Sequence, residues 1–268
     1  MARIIPAKPR GRPDRAFTAF YRVLKTLPDE FTAWLSLDSG TPERPHVFLV
    51  WRERHAFLIQ VAGTPQQRAE TALQADFLSD AETITPGEFG KSESGLLEDF
   101  VQRSVALLGP LSGVLSVRRL VVFPNVSEGT VDEVVMLRGE ESEVFYLGLN
   151  QLRPGHFARR LEAIAAGALL ETGLHHLRRA FTPEAEVPAG FVPRIPDRGT
   201  VASLPPRFLD FDQECSVKND LDLFPDPAGE ALKDSSVRLI TGVAGSGKSL
   251  VLLYRALLAA RLHPAARV

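Results

Sequence analysis

Val237-Arg238-Leu239-Ile240-Thr241-Gly242-Val243-Ala244-Gly245-Ser246-Gly247-Lys248-Ser249 is the stretch on which the reading of this 268-residue chain turns. Its first five residues are mostly β-branched or apolar and predict a strand over Val237–Thr241. After it, Lys248 to Leu262 is strongly apolar and predicts a helix, which His263-Pro264 ends. Between the two, Gly242 to Ser249 matches G-x-x-x-x-G-K-[ST] in full. The glycines let the backbone curl until successive amides point inward at phosphate oxygens. The helix that opens at Lys248 adds the positive end of its dipole. The Lys248 ammonium can reach the β- and γ-phosphates, and the Ser249 hydroxyl can ligate magnesium. Gly242, Val243, Ala244, Gly245, Ser246, Gly247, Lys248 and Ser249 are therefore candidate ligands for a nucleoside triphosphate with its magnesium ion.

Hydrolysis asks for more: an acidic residue on a neighbouring strand, a group that positions water, and usually an arginine finger. The residues from Ser249 to Val268 contain no Asp or Glu, and Asp210, Asp212 and Glu214 lie upstream, off the strand that such motors use. Lys248 is left as a transition-state phosphate contact without a complete catalytic set, so this chain alone is expected to turn over no ATP. The predicted helix also carries Leu250, Val251, Leu252, Leu253, Leu257 and Leu258, a stripe too wide for one neighbour. It is expected to pack on the N-terminal part, pair with another copy or stay unsettled.

Working back from this stretch, six prolines (Pro183, Pro188, Pro193, Pro196, Pro205, Pro206) crowd into a short segment. Proline lacks an amide donor and disfavours helix in the residue before it, so the segment reads as an extended tether. The expected organisation is an α/β domain over 1–181, a linker over 182–206 and a second domain beginning at 207. In the first, Arg15 to Leu27 spaces its apolar residues as one face of a helix, stopped by Pro28-Asp29. Val47–Trp51 and Ala56–Val61 flank Arg52-Glu53-Arg54-His55 as a hairpin. Gln66–Leu78 and Gly95–Leu108 read as helices, and Arg118–Phe123 as a strand buried on both faces. Val131–Leu137 and Val144–Leu147 read as further strands. His156–Phe181 closes the domain as one helix or, given Gly167 and Gly173, two. Phe208 to Asp220 has a helical look.

The 31 Lys and Arg against 33 Asp and Glu give a net charge of −2, which excludes a wholesale polycation coating nucleic acid. No apolar run approaches the roughly 20 residues needed to cross a bilayer. The basic start leads into prolines rather than the apolar core of a secretory signal. One cysteine, Cys215, excludes an internal disulfide and a Cys-based zinc cluster. These features describe a cytoplasmic-type chain with no membrane partner.

Phe208-Leu209-Asp210-Phe211-Asp212-Gln213-Glu214, followed by the glycine loop, resembles the start of UvrD-like superfamily I DNA/RNA helicases. In that family a glutamine ahead of the loop recognises adenine, a role that Gln213 matches; an amide offers both a donor and an acceptor to the adenine edge. The resemblance covers about 60 residues and implies a RecA-like ATP-binding core that continues for several hundred more. Phe20 to Pro28, His46 to Ala62 and Arg118 to Pro124 are similar to the nuclease-related domain (NERD) that often precedes such helicases. That resemblance implies a restriction-endonuclease-like mixed sheet, with an acidic residue at the hairpin and E-x-K on its second strand. Here Gln60 and Ala62 stand where the glutamate and lysine belong, and Pro45-His46-Val47 stands where the aspartate is expected. A neutral amide binds magnesium poorly and alanine cannot stabilise charge on phosphate, so the nuclease is expected to be inactive.

The whole then reads as the N-terminal segment of an ATP-dependent helicase-like protein. Its first domain docks nucleic acid, DNA in preference to RNA, or a protein partner. The competing class is a non-enzymatic DNA- or protein-binding module with a vestigial loop; a small P-loop kinase fits less well, because its loop lies near the start of the domain. Glu171 and His175, at i,i+4 without a third ligand, read as a solvated helix face. Trp34 and Trp51 read as core rather than stacking platforms.

Overall fold

Leu120, Val121, Val122 and Phe123 are each fully enclosed, as the continuous apolar run demands, and the strand they form organises the first of two units. A computed structural model of the chain describes residues 1–10, 13–37, 43–73, 85–106, 116–138, 143–188, 206–219, 239–243, 245 and 247–262. The first unit comprises Met1–Ile4 and Arg12–Phe181, the second Ile5–Gly11 and Thr182–Val268.

The first unit is a mixed α/β structure around a six-stranded sheet in chain order: β1 (Arg3–Ile5), β2 (Phe31–Leu35), β3 (Val47–Trp51), β4 (His55–Val61), β5 (Val117–Phe123) and β6 (Val144–Gly148). β2, β3 and β4 form an antiparallel meander; β5 runs parallel to β4, and β6 parallel to β5. The helices follow from the two parallel steps, since a parallel neighbour needs a crossover. α2 (Gln66–Leu73) and α3 (Lys91–Ala106) lie between β4 and β5, and α4 (Glu128–Arg138) lies between β5 and β6. α1 (Arg15–Leu24) precedes the meander; α5 (His156–Ile164) and α6 (Glu171–Phe181) follow the sheet. The break between α5 and α6 realises the two-helix version of His156–Phe181.

One core gathers Phe17, Phe20 and Leu24 of α1, Leu49, Ile59 and Leu120 of the sheet, and Phe157 and Leu161 of α5. Phe20 meets Phe157 edge-on at 5.6 Å between centroids. The alternate residues of the strands face aromatic partners: Phe123 stacks on Phe89 at 4.5 Å, and Phe48 meets Phe181 at 5.7 Å. Period-two alternation thus feeds two apolar layers from one sheet.

The β3–β4 hairpin turns through Arg52 at φ 48° and Glu53 at φ 56°. A left-handed pair favours Asn-Gly, so something must hold these residues there. Arg52 donates its backbone N–H to Glu30 O at 3.0 Å and its Nε to the Glu30 carboxylate at 3.0 Å. Its guanidinium lies 4.7 Å from the Trp51 ring centroid.

Two expectations fail. Val131–Leu137 is not a strand but part of α4. Val131 and Val134 are buried three residues apart while Met136 and Leu137 are exposed, a helical period that the apolar run conceals. Ser127 Oγ accepts the Thr130 N–H at 3.3 Å, the capping contact that starts this helix. Leu239–Thr241, the described part of the expected Val237–Thr241 strand, is not in a strand either. A strand exists only where another backbone takes its hydrogen bonds, and no partner for it occurs among the described residues; Leu239 is 86% exposed.

In the second unit, Pro183–Ala185 forms a single 3-10 turn, and β7 (Glu186–Val187) pairs antiparallel with β8 (Arg207–Phe208), joining the two flanks of the proline-rich stretch. α7 (Phe211–Lys218) and α8 (Lys248–Leu262) follow. α8 buries Leu250, Val251, Tyr254, Leu258 and Ala259 and exposes Leu252, Leu253 and Leu257. Its covered face lies against α7 and the Pro183–Ala185 turn, so half of the wide stripe finds neighbours inside its own unit, an arrangement the sequence reading omitted. Pro225-Asp226-Pro227, whose two prolines read as a turn, lies outside the described residues. No helix among the described residues is long and apolar enough to cross a membrane.

Candidate functional site

The start of α7 is fixed by a reciprocal capping box. Asp210 accepts the Gln213 N–H on Oδ1 at 2.8 Å, and Gln213 accepts the Asp210 N–H on Oε1 at 3.2 Å. These bonds orient the Gln213 amide as well as the helix. With its oxygen turned back to Asp210, its nitrogen reaches the glycine loop: Nε2 stands 2.6 Å from where a Cβ on Gly247 would lie. Gly247 (φ 79°) and Gly245 (φ 82°) both occupy the left-handed region. Glycine at 247 is thus required twice, by its backbone angle and by the amide beside it.

Lys248 opens α8, and its Nζ donates to Gly242 O at 2.9 Å and Val243 O at 2.8 Å. The loop therefore wraps its own ammonium. The Val251 N–H takes the first helical bond, to Gly247 O at 2.9 Å; amides of the turn before it have no acceptor within the helix. A cavity of about 370 Å³ opens beside them, lined by Asp210, Asp212, Gln213, Gly242, Gly245 and Lys248 among others. Gln213 and the loop, 29 residues apart in sequence, are brought to one place. Ser249 is exposed and not among the residues lining this cavity. Ala244 and Ser246 lie outside the described residues.

Behind the cavity the unit is polar but ordered. Lys218, with its side chain fully enclosed, bridges Glu214 at 2.7 Å and Glu184 at 2.9 Å. Arg255 of α8 donates from one terminal nitrogen to the carbonyls of Ser216, Val217 and Asn219 at 3.0, 3.2 and 2.7 Å. Tyr254 Oη donates to Glu186 O at 2.8 Å, and burial, then the Glu186 charge, raises its pKa. The Cys215 thiol is pushed up to about 11 by burial and by Glu214 and Asp212, so it is an unreactive thiol near neutral pH. Sequence reading missed Lys218 and Arg255. The i,i+4 spacing of Glu214 and Lys218 was available as a signal; nothing local marks Arg255.

The second group of candidate positions lies at the end of β4 in the first unit. Gln60 is 5% exposed and its Oε1 accepts the His46 N–H at 3.1 Å; Ala62 is buried. His46 Nδ1 accepts the Val61 N–H at 3.0 Å, which places the imidazole proton on Nε2. Burial lowers the His46 pKa, against the opposing pull of Asp14 and Glu93. The pair is thereby committed to holding the β3 and β4 ends together. Among the described residues no group of three or more His, Cys, Asp or Glu side chains is arranged to hold a metal ion. Glu171 and His175 are exposed and 3.9 Å apart.

No protein-family model, curated protein or solved structure matches the chain.

Proposed function

We propose that the second unit binds ATP with magnesium, and that the chain is the N-terminal part of a cytoplasmic, ATP-dependent superfamily I DNA/RNA helicase-like protein. The observation that carries this reading is the placement of the Gln213 amide against Gly247 of the loop. A glutamine ahead of a phosphate loop is unremarkable in sequence; one oriented by its own capping box toward the loop is a candidate base reader.

The donor set fits the group. Lys248 and the loop amides suit phosphate oxygens; Ser249, next to Lys248 in sequence but off the cavity lining, would hold magnesium only after the loop rearranges. The Gln213 oxygen has a second lone pair beyond the one given to Asp210, and its nitrogen is a donor, which together suit an adenine edge. Asp210 and Asp212 repel phosphate and accept from sugar or base, so the cavity has a polarity: phosphates toward Lys248, nucleoside toward α7. Bound magnesium nucleotide supplies a triphosphate whose transfer chemistry needs acidic and arginine groups beyond Ser249. Lys248 must first exchange its two loop carbonyls for phosphate, so binding and loop rearrangement are one event.

For the first unit we propose a restriction-endonuclease-like domain that has lost its chemistry and docks nucleic acid, DNA in preference to RNA, or a protein. The helix–meander–crossover–parallel strand order supports this reading, as does the position of Gln60 and Ala62 on the second hairpin strand. Self-association through exposed Leu252, Leu253 and Leu257 is a further part of the proposal, checked by mass in solution.

Equilibrium dialysis of ATP and magnesium against the full chain tests the central reading. Saturable ATP binding that Lys248→Ala abolishes is the expected result. Absence of binding favours the vestigial-loop module, a reading that the self-satisfied Lys248 supports.

A further inference from the structure

We infer that Arg255 is a positioning residue for nucleotide recognition, setting the spacing between Gln213 and the glycine loop although it lies away from the cavity; the inference rests on the ATP reading above. α7 is a rod of eight residues, about 12 Å long. Its N-terminal end holds Gln213 against Gly247, and its C-terminal end is held by Arg255. α8 starts at Lys248, directly after Gly247, and carries Arg255 two turns further on. The two helices therefore run in the same direction from the cavity. Between these ends the buried face of α8 packs on α7; Gln213 meets the loop at one end and the Arg255 guanidinium holds the other.

The chemistry of that far contact is specific. The last carbonyls of a helix have no partner within it, and Arg255 satisfies those of Ser216 and Val217 while also holding Asn219 O just beyond. A cation there also meets the negative end of the α7 dipole. Asn219 is tied further, its Oδ1 accepting the Ala7 N–H at 2.8 Å. Arg255 thus reads the end of α7 through backbone atoms alone, and any rotation or slide of α7 against α8 breaks several bonds at once. Because Gln213 and Lys248 sit on the two bodies so joined, a shift at Arg255 changes the base-to-phosphate distance without touching either group. Phosphate binding alone needs only α8 and its loop; base recognition needs both helices in register.

The test compares two ligands on the full chain, ATP and inorganic tripolyphosphate, each with magnesium. Arg255→Ala is expected to weaken ATP binding about tenfold, the loss of one or two positioned hydrogen bonds, and to leave tripolyphosphate within about twofold. Arg255→Lys, which keeps a charged donor on a shorter side chain, should restore part of the loss. In a Gln213→Ala background, Arg255→Ala should cost nothing further for ATP, because the group it positions is gone. Equal weakening of both ligands by Arg255→Ala and Arg255→Lys would mark a merely structural role and overturn the inference. Additive losses in the double variant, or ATP binding that depends on Lys248 and Gln213 but ignores Arg255, would overturn it too. ATP binding that is absent, or indifferent to Lys248→Ala, would instead bring down the nucleotide reading and this inference with it.

Discussion

The end of β4 and the glycine loop are opposite cases of the relation between a fold and a chemical site. Around Gln60 the sheet is complete: β3 and β5 flank the strand, and Gln60 and Ala62 are neutral and buried. Around Lys248 the G-x-x-x-x-G-K-[ST] motif is complete, but the strand expected before it finds no partner among the described residues. Burial explains the first case. At 5% exposure an amide whose oxygen bonds the neighbouring strand is stable, whereas a carboxylate there needs a cation to offset its desolvation. Local geometry explains the second, since the loop is built from two left-handed glycines and a lysine that bonds the loop's own carbonyls, none of which needs a sheet to form.

The largest effect expected from this contrast falls behind the loop. Lys218→Met leaves Glu184 and Glu214 enclosed without their shared cation, at a cost of about 3–5 kcal/mol to the second unit. Cys215, the sole cysteine, sits on α7 and reports it: thiol labelling under native conditions should accelerate by a hundredfold or more. An unchanged labelling rate would show that the buried bridge is not what holds α7.

Next comes Gly247→Ala. The substituted residue must hold a left-handed angle, costing roughly 1–2 kcal/mol, and its methyl meets Gln213 Nε2. ATP affinity should fall by at least about tenfold. Gly95→Ala, inside α3 with nothing within 4 Å of an added Cβ, is the matched control and should leave binding unchanged.

A smaller effect, of defined sign, is expected in the first unit. Burial lowers the His46 pKa in the folded chain, while the unfolded value stays near about 6.5. The unfolded state then takes up a proton first, so stability is full above that value and declines as pH falls toward the folded pKa. Protonated Nδ1 would also face the Val61 N–H donor to donor. Denaturant midpoints between pH 8 and pH 5 should fall, and His46→Gln should flatten the decline; a midpoint that rises on acidification reverses the assigned sign.

The smallest effect should be none: with magnesium or manganese, the chain should not nick plasmid DNA. Metal-dependent nicking that a chelator stops would show that Gln60 and Ala62 were assigned to the wrong positions.

Sequence made some of this legible because the signals were local. The β3–β4 hairpin, the two-sided burial of β5, α7 and α8 all follow from periodicity and turn residues within their own segments. The same locality misled at Val134-Val135-Met136-Leu137, where four apolar residues in a row hid a helical face two of them leave exposed. β2 was overlooked: Phe31 to Leu35 alternates poorly, because Trp34 is buried opposite Phe31, Ala33 and Leu35. At the site, Gln213 was singled out through the resemblance to UvrD-like helicases, while its capping box went unread although the Asp210–Gln213 spacing carries it. Arg255 was not, because its acceptors are backbone carbonyls, which carry no residue identity.

The most direct measurement is amide hydrogen exchange of the full chain with and without magnesium ATP. Protection should appear at the loop and the first turn of α8, from Gly245 to Leu250, and along α7 from Phe211 to Lys218, with none added between His46 and Ala62. Protection at the β3–β4 ends, or at neither place, would contradict the assignment of nucleotide binding to the loop and its absence from the sheet.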